Sequence, residues 1–305
     1  MPSTKPLRLV VVGAGRVGKL CAQAACLSHD LTVAGFIRRP GSGGGEVPDE
    51  LRHIPVSTHI GQVKDVDGAL ICVPTTVATD TAYEILHHGI PIVDCVTLHG
   101  EAFRAHKEAA DKVALHRNAP AIVGAGWDPG ALSVLRSWLA LVTPGGTTET
   151  TYRTGASLHH TVMARTIVGV NDALCTEVRA TDGRVQRYVY VELQRGVDPD
   201  RVAEAIRADP LFLGEDVQVF PVESLSALEQ EGRGVVLDRR GASSRLGHQH
   251  FVLEARGDDA VLTAQVMLAA ARALPDLDPG AYSLSDIPLM ALWGERSEKA
   301  ERDWL

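Results

Sequence analysis

The chain has 305 residues, is 45% hydrophobic and 22% charged, and carries a formal net charge of −8. That length exceeds the roughly 100–200 residues of one domain, so two domains are expected, each able to bury a core. An acidic balance with no Lys/Arg run longer than two argues against a nucleic-acid partner, because phosphate binding needs a concentrated basic face. No apolar run reaches the ~18 residues of a membrane span.

The start, Met1-Pro2-Ser3-Thr4-Lys5-Pro6, leads into the first predicted strand without the order of a signal peptide, and a cytoplasmic location is expected. Five cysteines (Cys21, Cys26, Cys72, Cys95, Cys175) form no C-x-x-C pair. All but Cys175 fall in segments read as buried helix or strand. Reduced structural thiols are expected, with no metal centre.

Residues Leu7–Val12 form a continuous apolar run, the pattern of a strand buried on both faces. Gly13-Ala14-Gly15-Arg16-Val17-Gly18 follows and opens a predicted helix, 17–28. The three glycines have the spacing of a dinucleotide-binding turn. The first makes the tight turn, the second lets backbone N–H groups approach a pyrophosphate, and the third lets the helix pack on the sheet. A second strand, Leu31–Ile37, ends at Arg38-Arg39. An NAD site places an acid there for the ribose hydroxyls; two guanidiniums favour the 2′-phosphate of NADP(H). The run Pro40 to Gly45 reads as a flexible loop.

The next predicted elements are a strand at 67–74, a helix at 79–88, a strand at 91–96, a helix at 101–117 and a strand at 121–125. Val73, Pro74 and Thr75 stand at a strand's carboxyl end, where open parallel sheets bind ligands. Asp94 lies in an apolar strand, where an unpaired acid is expensive, so it needs a partner or a ligand. The last strand runs into Gly124-Ala125-Gly126-Trp127-Asp128-Pro129-Gly130 and a helix at 130–141. Asp128 is placed to cap that helix, to meet a ligand, or both. Asp94 and Asp128 thus fall at the ends of consecutive strands.

After Thr143-Pro144-Gly145-Gly146 the pattern changes. Strands are predicted at 148–154, 174–179, 185–193, 217–222, 235–239 and 249–255. Helices are predicted at 161–168, 200–208, 224–230 and 260–273. The expected fold is α/β: a doubly wound, Rossmann-type parallel sheet plus an α+β domain with a mixed, mostly antiparallel sheet. The expected divisions are 1–127 for the nucleotide, 128–275 for substrate and dimerisation, and 276–305 packing back on the first domain.

A nicotinamide bound at such a sheet carries the hydride chemistry itself, leaving the protein to recognise substrate and handle protons. An Asp pair attracts an ammonium group, and one carboxylate can take an amine proton. Trp127 offers an apolar wall, although for Trp127 alone core packing is the favoured role.

Several segments together resemble the meso-diaminopimelate dehydrogenase family: Gly126-Trp127-Asp128-Pro129-Gly130, the glycine turn, Arg38-Arg39, Val93-Asp94 and Gly155-Ala156-Ser157-Leu158-His159-His160. Leu262-Thr263-Ala264 and Gly280-Ala281-Tyr282 extend the likeness to the end of the chain. The resemblance implies an NADP-dependent, homodimeric amino-acid dehydrogenase that reversibly deaminates the D-centre of meso-2,6-diaminopimelate to a keto acid and ammonia. It implies that Asp94, Asp128 and Trp127 surround the reacting amino group and that Ser157 and His160 line the pocket. The family's distal arginine matches Arg187. Its threonine, histidine and asparagine partners are replaced by Glu177, Arg233 and Asp259. Those acids are either neutralised by the arginines or mark a substrate with a different far end, such as 2,4-diaminopentanoate or a simpler amine. Surface ion pairs at these positions, and a non-catalytic NADP sensor, are the remaining alternatives.

Overall fold

A computed structural model describes residues 5–38, 47–153, 158–179, 185–225, 234–241 and 249–304. The chain folds into two compact units, Met1–Trp138 with Asp259–Leu305, and Leu139–Asp258. These divisions differ from 127/128 and 275/276, because the helix at 259–273 packs in the first unit.

The first unit is built on seven strands: β1 (Leu7–Val12), β2 (Leu31–Ile37), β3 (Val56–Ser57), β4 (Gly68–Ile71), β5 (Ile92–Asp94), β6 (Pro120–Ile122) and, near the C-terminus, β13 (Gly280–Tyr282). Their order is β13-β6-β5-β4-β1-β2-β3, with every neighbouring pair parallel. Helices α1 (Arg16–Cys26) and α7 (Asp259–Ala273) cover one face, and α2 (Thr75–His87) and α3 (Gly100–Arg117) the other. Successive side chains of a strand point to opposite faces. Leu9 and Val11 accordingly join Phe36, Leu70 and Met267 in one core, while Val10 and Val12 join Ile71, Ile85 and Ile92 in the other. Burial on both faces explains the continuous apolar run.

Two strands had no readable pattern. β3 has two residues and β13 has three. The β13 segment does return to the first unit, pairing with β6. The strand expected at 67–74 ends at Ile71, and Pro74 precedes the first residue of α2. The helix therefore opens at Thr75, four residues earlier than read.

Among the described residues the second unit holds two three-stranded sheets rather than one. β8 (Val170–Arg179) and β9 (Val185–Leu193) are antiparallel. β9 and β10 (Asp216–Val222) are parallel, joined across α6 (Pro199–Ala208). β7 (Thr147–Arg153), β11 (Gly234–Arg240) and β12 (His250–Arg256) form a separate antiparallel sheet. Asp198 caps α6 by accepting from Asp200 N at 3.1 Å, with Pro199 in the first turn. The helix expected at 224–230 lies outside the described residues, apart from its first two positions. Among the described residues no helix is long and apolar enough to cross a membrane.

Candidate active site

The glycine turn joins β1 to α1 beside β4, where the strand order reverses and open α/β sheets bind ligands. Gly13 adopts φ +102°, and a Cβ on it would lie 2.5 Å from the Cys72 carbonyl oxygen. A Cβ on Gly18 would lie 2.0 Å from the Gly13 carbonyl oxygen, so only glycine lets α1 approach this closely. Gly15 is the opposite case: nothing stands within 4 Å of its Cβ position. The start of α1 has no side-chain cap. Open backbone and uncapped N–H groups at one helix start fit a dinucleotide pyrophosphate.

The turn forms one end of a cleft of about 540 Å³. Gly13, Gly15, Arg38, Val73 and Pro74 line it, as do Ile37, Thr58, Val77, Thr81, Glu84 and Ile85. Of the other expected cofactor residues, Val17 packs into the core and Gly18 is buried beneath the turn. Arg16 is the exposed first residue of α1. Thr75 Oγ1 lies 3.0 Å from Thr97 Oγ1. Arg39 lies outside the described residues.

All five cysteines are free. Cys26 is exposed and Cys175 buried, the reverse of the expectation, because Cys26 ends α1 while Cys175 lies on the covered face of β8. Cys72, on the cleft wall, has its thiol held well above the usual range by its contact with Cys21 and by burial. Burial likewise pushes Cys95 to about 12 and Cys175 to about 11. These thiols are neutral packing groups.

Asp94 is held by protein groups on both carboxylate oxygens. Its side chain is fully buried, and Oδ1 accepts from Gly124 N at 2.8 Å and Val96 N at 3.2 Å. Oδ2 lies 2.8 Å from His106 Nε2, and His106 Nδ1 lies 3.1 Å from Thr79 Oγ1. The acid has the partner that its burial demands. Through these bonds it anchors the start of the Gly124–Gly130 loop.

That loop is held by backbone and by α7. Trp127 N donates to Thr263 Oγ1 at 3.1 Å. Ala131 N and Leu132 N, in the first turn of α4 (Ala131–Val142), donate to the carbonyls of Gly126 and Trp127. Arg136, on α4, grips the Asp128 side chain from Nη1 to Oδ1 at 2.7 Å and from Nη2 to Oδ2 at 2.8 Å. Asp128 keeps about 9% of its side chain exposed, and Trp127 is half-buried beside it.

In the second unit, β9 alternates as predicted, and Arg187, Val189 and Val191 take its buried face. Arg187 donates from Nε to Glu215 Oε2 and from Nη2 to Oε1 at 3.0 Å. His160 Nε2 stands 3.6 Å from the same carboxylate, its ring edge-on to Phe212. The Arg187 hydrogen bonds hold the Glu215 carboxyl below its ordinary value. His160 and Arg187 thus come together around Glu215, a residue that sequence reasoning missed. Glu177 sits opposite Arg187 in the β8–β9 register. Asp259 opens α7 in the other unit, and Ser157 and Arg233 lie outside the described residues.

No protein-family model matches the chain. A curated meso-diaminopimelate D-dehydrogenase from Bacteroides fragilis is 35% identical over 295 residues, covering 96% of this chain and 98% of that protein. The chain belongs to the meso-diaminopimelate D-dehydrogenase family. A second member, from Acetivibrio thermocellus, is 24% identical, with 98% of each chain covered. The fold matches a mutant meso-DAPDH from Clostridium tetani E88 with DAP, at 21% identity and TM-score 0.68, over 98% of this chain and all of that one. It also matches a C. glutamicum DAP dehydrogenase in complex with DAP, at 20% identity and TM-score 0.66, over 99% of this chain and all of that one. Membership of this dehydrogenase family makes the protein an oxidoreductase.

Proposed function

We propose that the chain reversibly deaminates a CH–NH2 group with NADP(H), and that its substrate is meso-2,6-diaminopimelate, attacked at the D-centre to give a keto acid and ammonia. The observation that carries this reading is the 35% identity to the Bacteroides fragilis enzyme across nearly the whole chain. Arg38 at the cleft supports NADP(H), since a guanidinium forms charge-assisted bonds to a 2′-phosphate. An engineered D-amino acid dehydrogenase of similar fold, 20% identical, is known with NADP+ bound.

When bound, the nicotinamide supplies the hydride-accepting carbon. Asp128 accepts an N–H of the substrate's amino group, and Arg136 fixes the carboxylate plane. Trp127 excludes water from the reacting centre. Ser157 and His160 are assigned to the pocket of the reacting group, and Glu177, Arg187, Arg233 and Asp259 to the far end of the substrate. The protein acts as a cytoplasmic homodimer, and sedimentation as a monomer at working concentrations would overturn that part.

One observation favours a second reading. Glu215 already occupies the Arg187 fork, which suits a substrate with no distal carboxylate, such as 2,4-diaminopentanoate or a simpler amine. The test is absorbance of reduced cofactor from NADP+ with meso-diaminopimelate, 2,4-diaminopentanoate and simple amines, and the reverse reaction with ammonia and keto acids. Silence throughout overturns the activity. Turnover confined to substrates without a distal carboxylate selects the second reading.

A further inference from the structure

The cleft of the first unit has lining residues whose chemistry the activity above leaves unassigned. α2 turns Val77, Thr81, Glu84 and Ile85 to the cleft, the i, i+4, i+7, i+8 spacing of one helix face. Ile37, Arg38 and Thr58 line the same cleft. The walls are largely apolar, with a guanidinium and one carboxylate among them. A carboxylate repels phosphate and, when ionised, only accepts hydrogen bonds. Whatever Glu84 meets in the cleft must therefore be a donor.

Glu84 is also oriented. Gly61 N donates to His59 Nδ1 at 3.2 Å, which puts the proton of a neutral imidazole on Nε2. That Nε2 lies 3.4 Å from Glu84 Oε1. The His88 ring stands edge-on to His59, centroids 5.6 Å apart. Among the described residues no protein group takes Glu84 Oε2. The carboxylate follows the first residue of α2 by nine positions, about 13 Å along a helix at 1.5 Å per residue. Val73, two residues before α2, packs against the Gly13 turn, so that length is enough for a ribose and a base between the turn and Glu84.

We propose that Glu84 reads the base of the bound dinucleotide, its carboxylate accepting an N–H of adenine's exocyclic amine while His59 holds it in place. The inference rests on the nucleotide reading of this cleft. It does not depend on the 2′-phosphate, because NAD(H) and NADP(H) carry the same base. Hypoxanthine places a carbonyl oxygen where adenine has its amine, and against a carboxylate that exchange replaces attraction with repulsion.

The test is calorimetric titration of the full chain with NADP+ and with nicotinamide hypoxanthine dinucleotide phosphate. The wild type is expected to bind the adenine form about tenfold tighter, the effect of losing one charge-assisted hydrogen bond at a half-exposed site. Glu84→Gln keeps the size and can turn either its carbonyl to an amine or its amide N–H to a carbonyl. It should bring the two affinities within about twofold of each other, with its thermal unfolding midpoint matching the wild type. Equal wild-type affinities, or full discrimination retained in Glu84→Gln, overturns the assignment while leaving the nucleotide site standing. If neither dinucleotide binds the wild type, the nucleotide reading itself fails and this one falls with it.

Discussion

His106 Nε2 lies 2.8 Å from Asp94 Oδ2, with 2% and 0% of the two side chains exposed. Removing one partner of a buried pair leaves the other uncompensated, a loss of about 3–5 kcal/mol. His106→Ala should therefore destabilise the first unit by about that amount, and Asp94→Asn, which keeps the shape and an acceptor, by less. All four tryptophans, Trp127, Trp138, Trp293 and Trp304, lie in the first unit, so urea unfolding followed by their fluorescence reports on it. A His106→Ala midpoint equal to wild type would show that the pair does not hold the unit together.

Gly15 and Gly18 separate binding from folding. An alanine methyl at Gly18 meets the Gly13 carbonyl at 2.0 Å, so α1 must move, at a cost of about 1–3 kcal/mol typical of overpacking. At Gly15 the backbone is extended, φ −75°, and the methyl meets no protein atom. Gly15→Ala should melt with the wild type yet lose at least about tenfold in dinucleotide affinity, or 1.4 kcal/mol, because the methyl stands where the pyrophosphate approaches. Thermal unfolding and calorimetric titration of both variants check this. A Gly15→Ala protein that binds normally but melts early reverses the assignment.

What could be read in the chain was local. The glycine turn is encoded by residues a few positions apart and buried by the apolar run beside it, so both were legible. The partners of Asp94 could not be read because they come from elsewhere: His106 is 12 residues on, in α3, and Gly124 is 30 residues on. Placement at a strand's end cannot say whether a carboxylate's lone pairs are already taken. Arg136 had a signal, lying two helical turns beyond Asp128 near the start of a helix. Glu215 had none, since it reaches Arg187 only through the pairing of β9 and β10. The strands β3 and β13 are too short for periodicity to show.

Arg272 on α7 binds Asp30 from Nε at 2.6 Å and from Nη2 at 3.1 Å, and Ser28 Oγ donates to the same acid at 2.9 Å. Burial alone would raise the Asp30 carboxyl, but the bonds from Arg272 and Ser28 outweigh it and bring it from 3.8 down to about 2. A carboxyl whose value is depressed on folding adds stability above its unfolded value and loses it as the pH falls through the folded one. Asp30 should thus contribute about 2 kcal/mol at neutral pH, lost between about pH 4 and pH 2. Arg272→Ala should lower the neutral-pH urea midpoint and flatten the acid slope in that window. The same slope in variant and wild type would assign acid sensitivity to other carboxylates.

The two parallel bonds from Arg136 to Asp128 fix the plane of the carboxylate proposed to meet the amino group. Lysine keeps the charge but cannot engage both oxygens. Arg136→Lys should fold, as judged by an unchanged thermal midpoint, and lose about 10²-fold in kcat from misplacement of the acid, with little change in KM. Asp128→Asn preserves the side chain's size but removes its capacity to take a proton, and should lower kcat/KM by about 10²–10⁴-fold. Steady-state rates of NADP+ reduction with the substrate found in the amine panel measure both. A graded loss, larger in Asp128→Asn than in Arg136→Lys, is the signature of a reacting acid held by a positioning arginine. Wild-type rates in Asp128→Asn would reduce the pair to a strut of the Gly124–Gly130 loop, and the acid that receives the amine would then have to come from another residue.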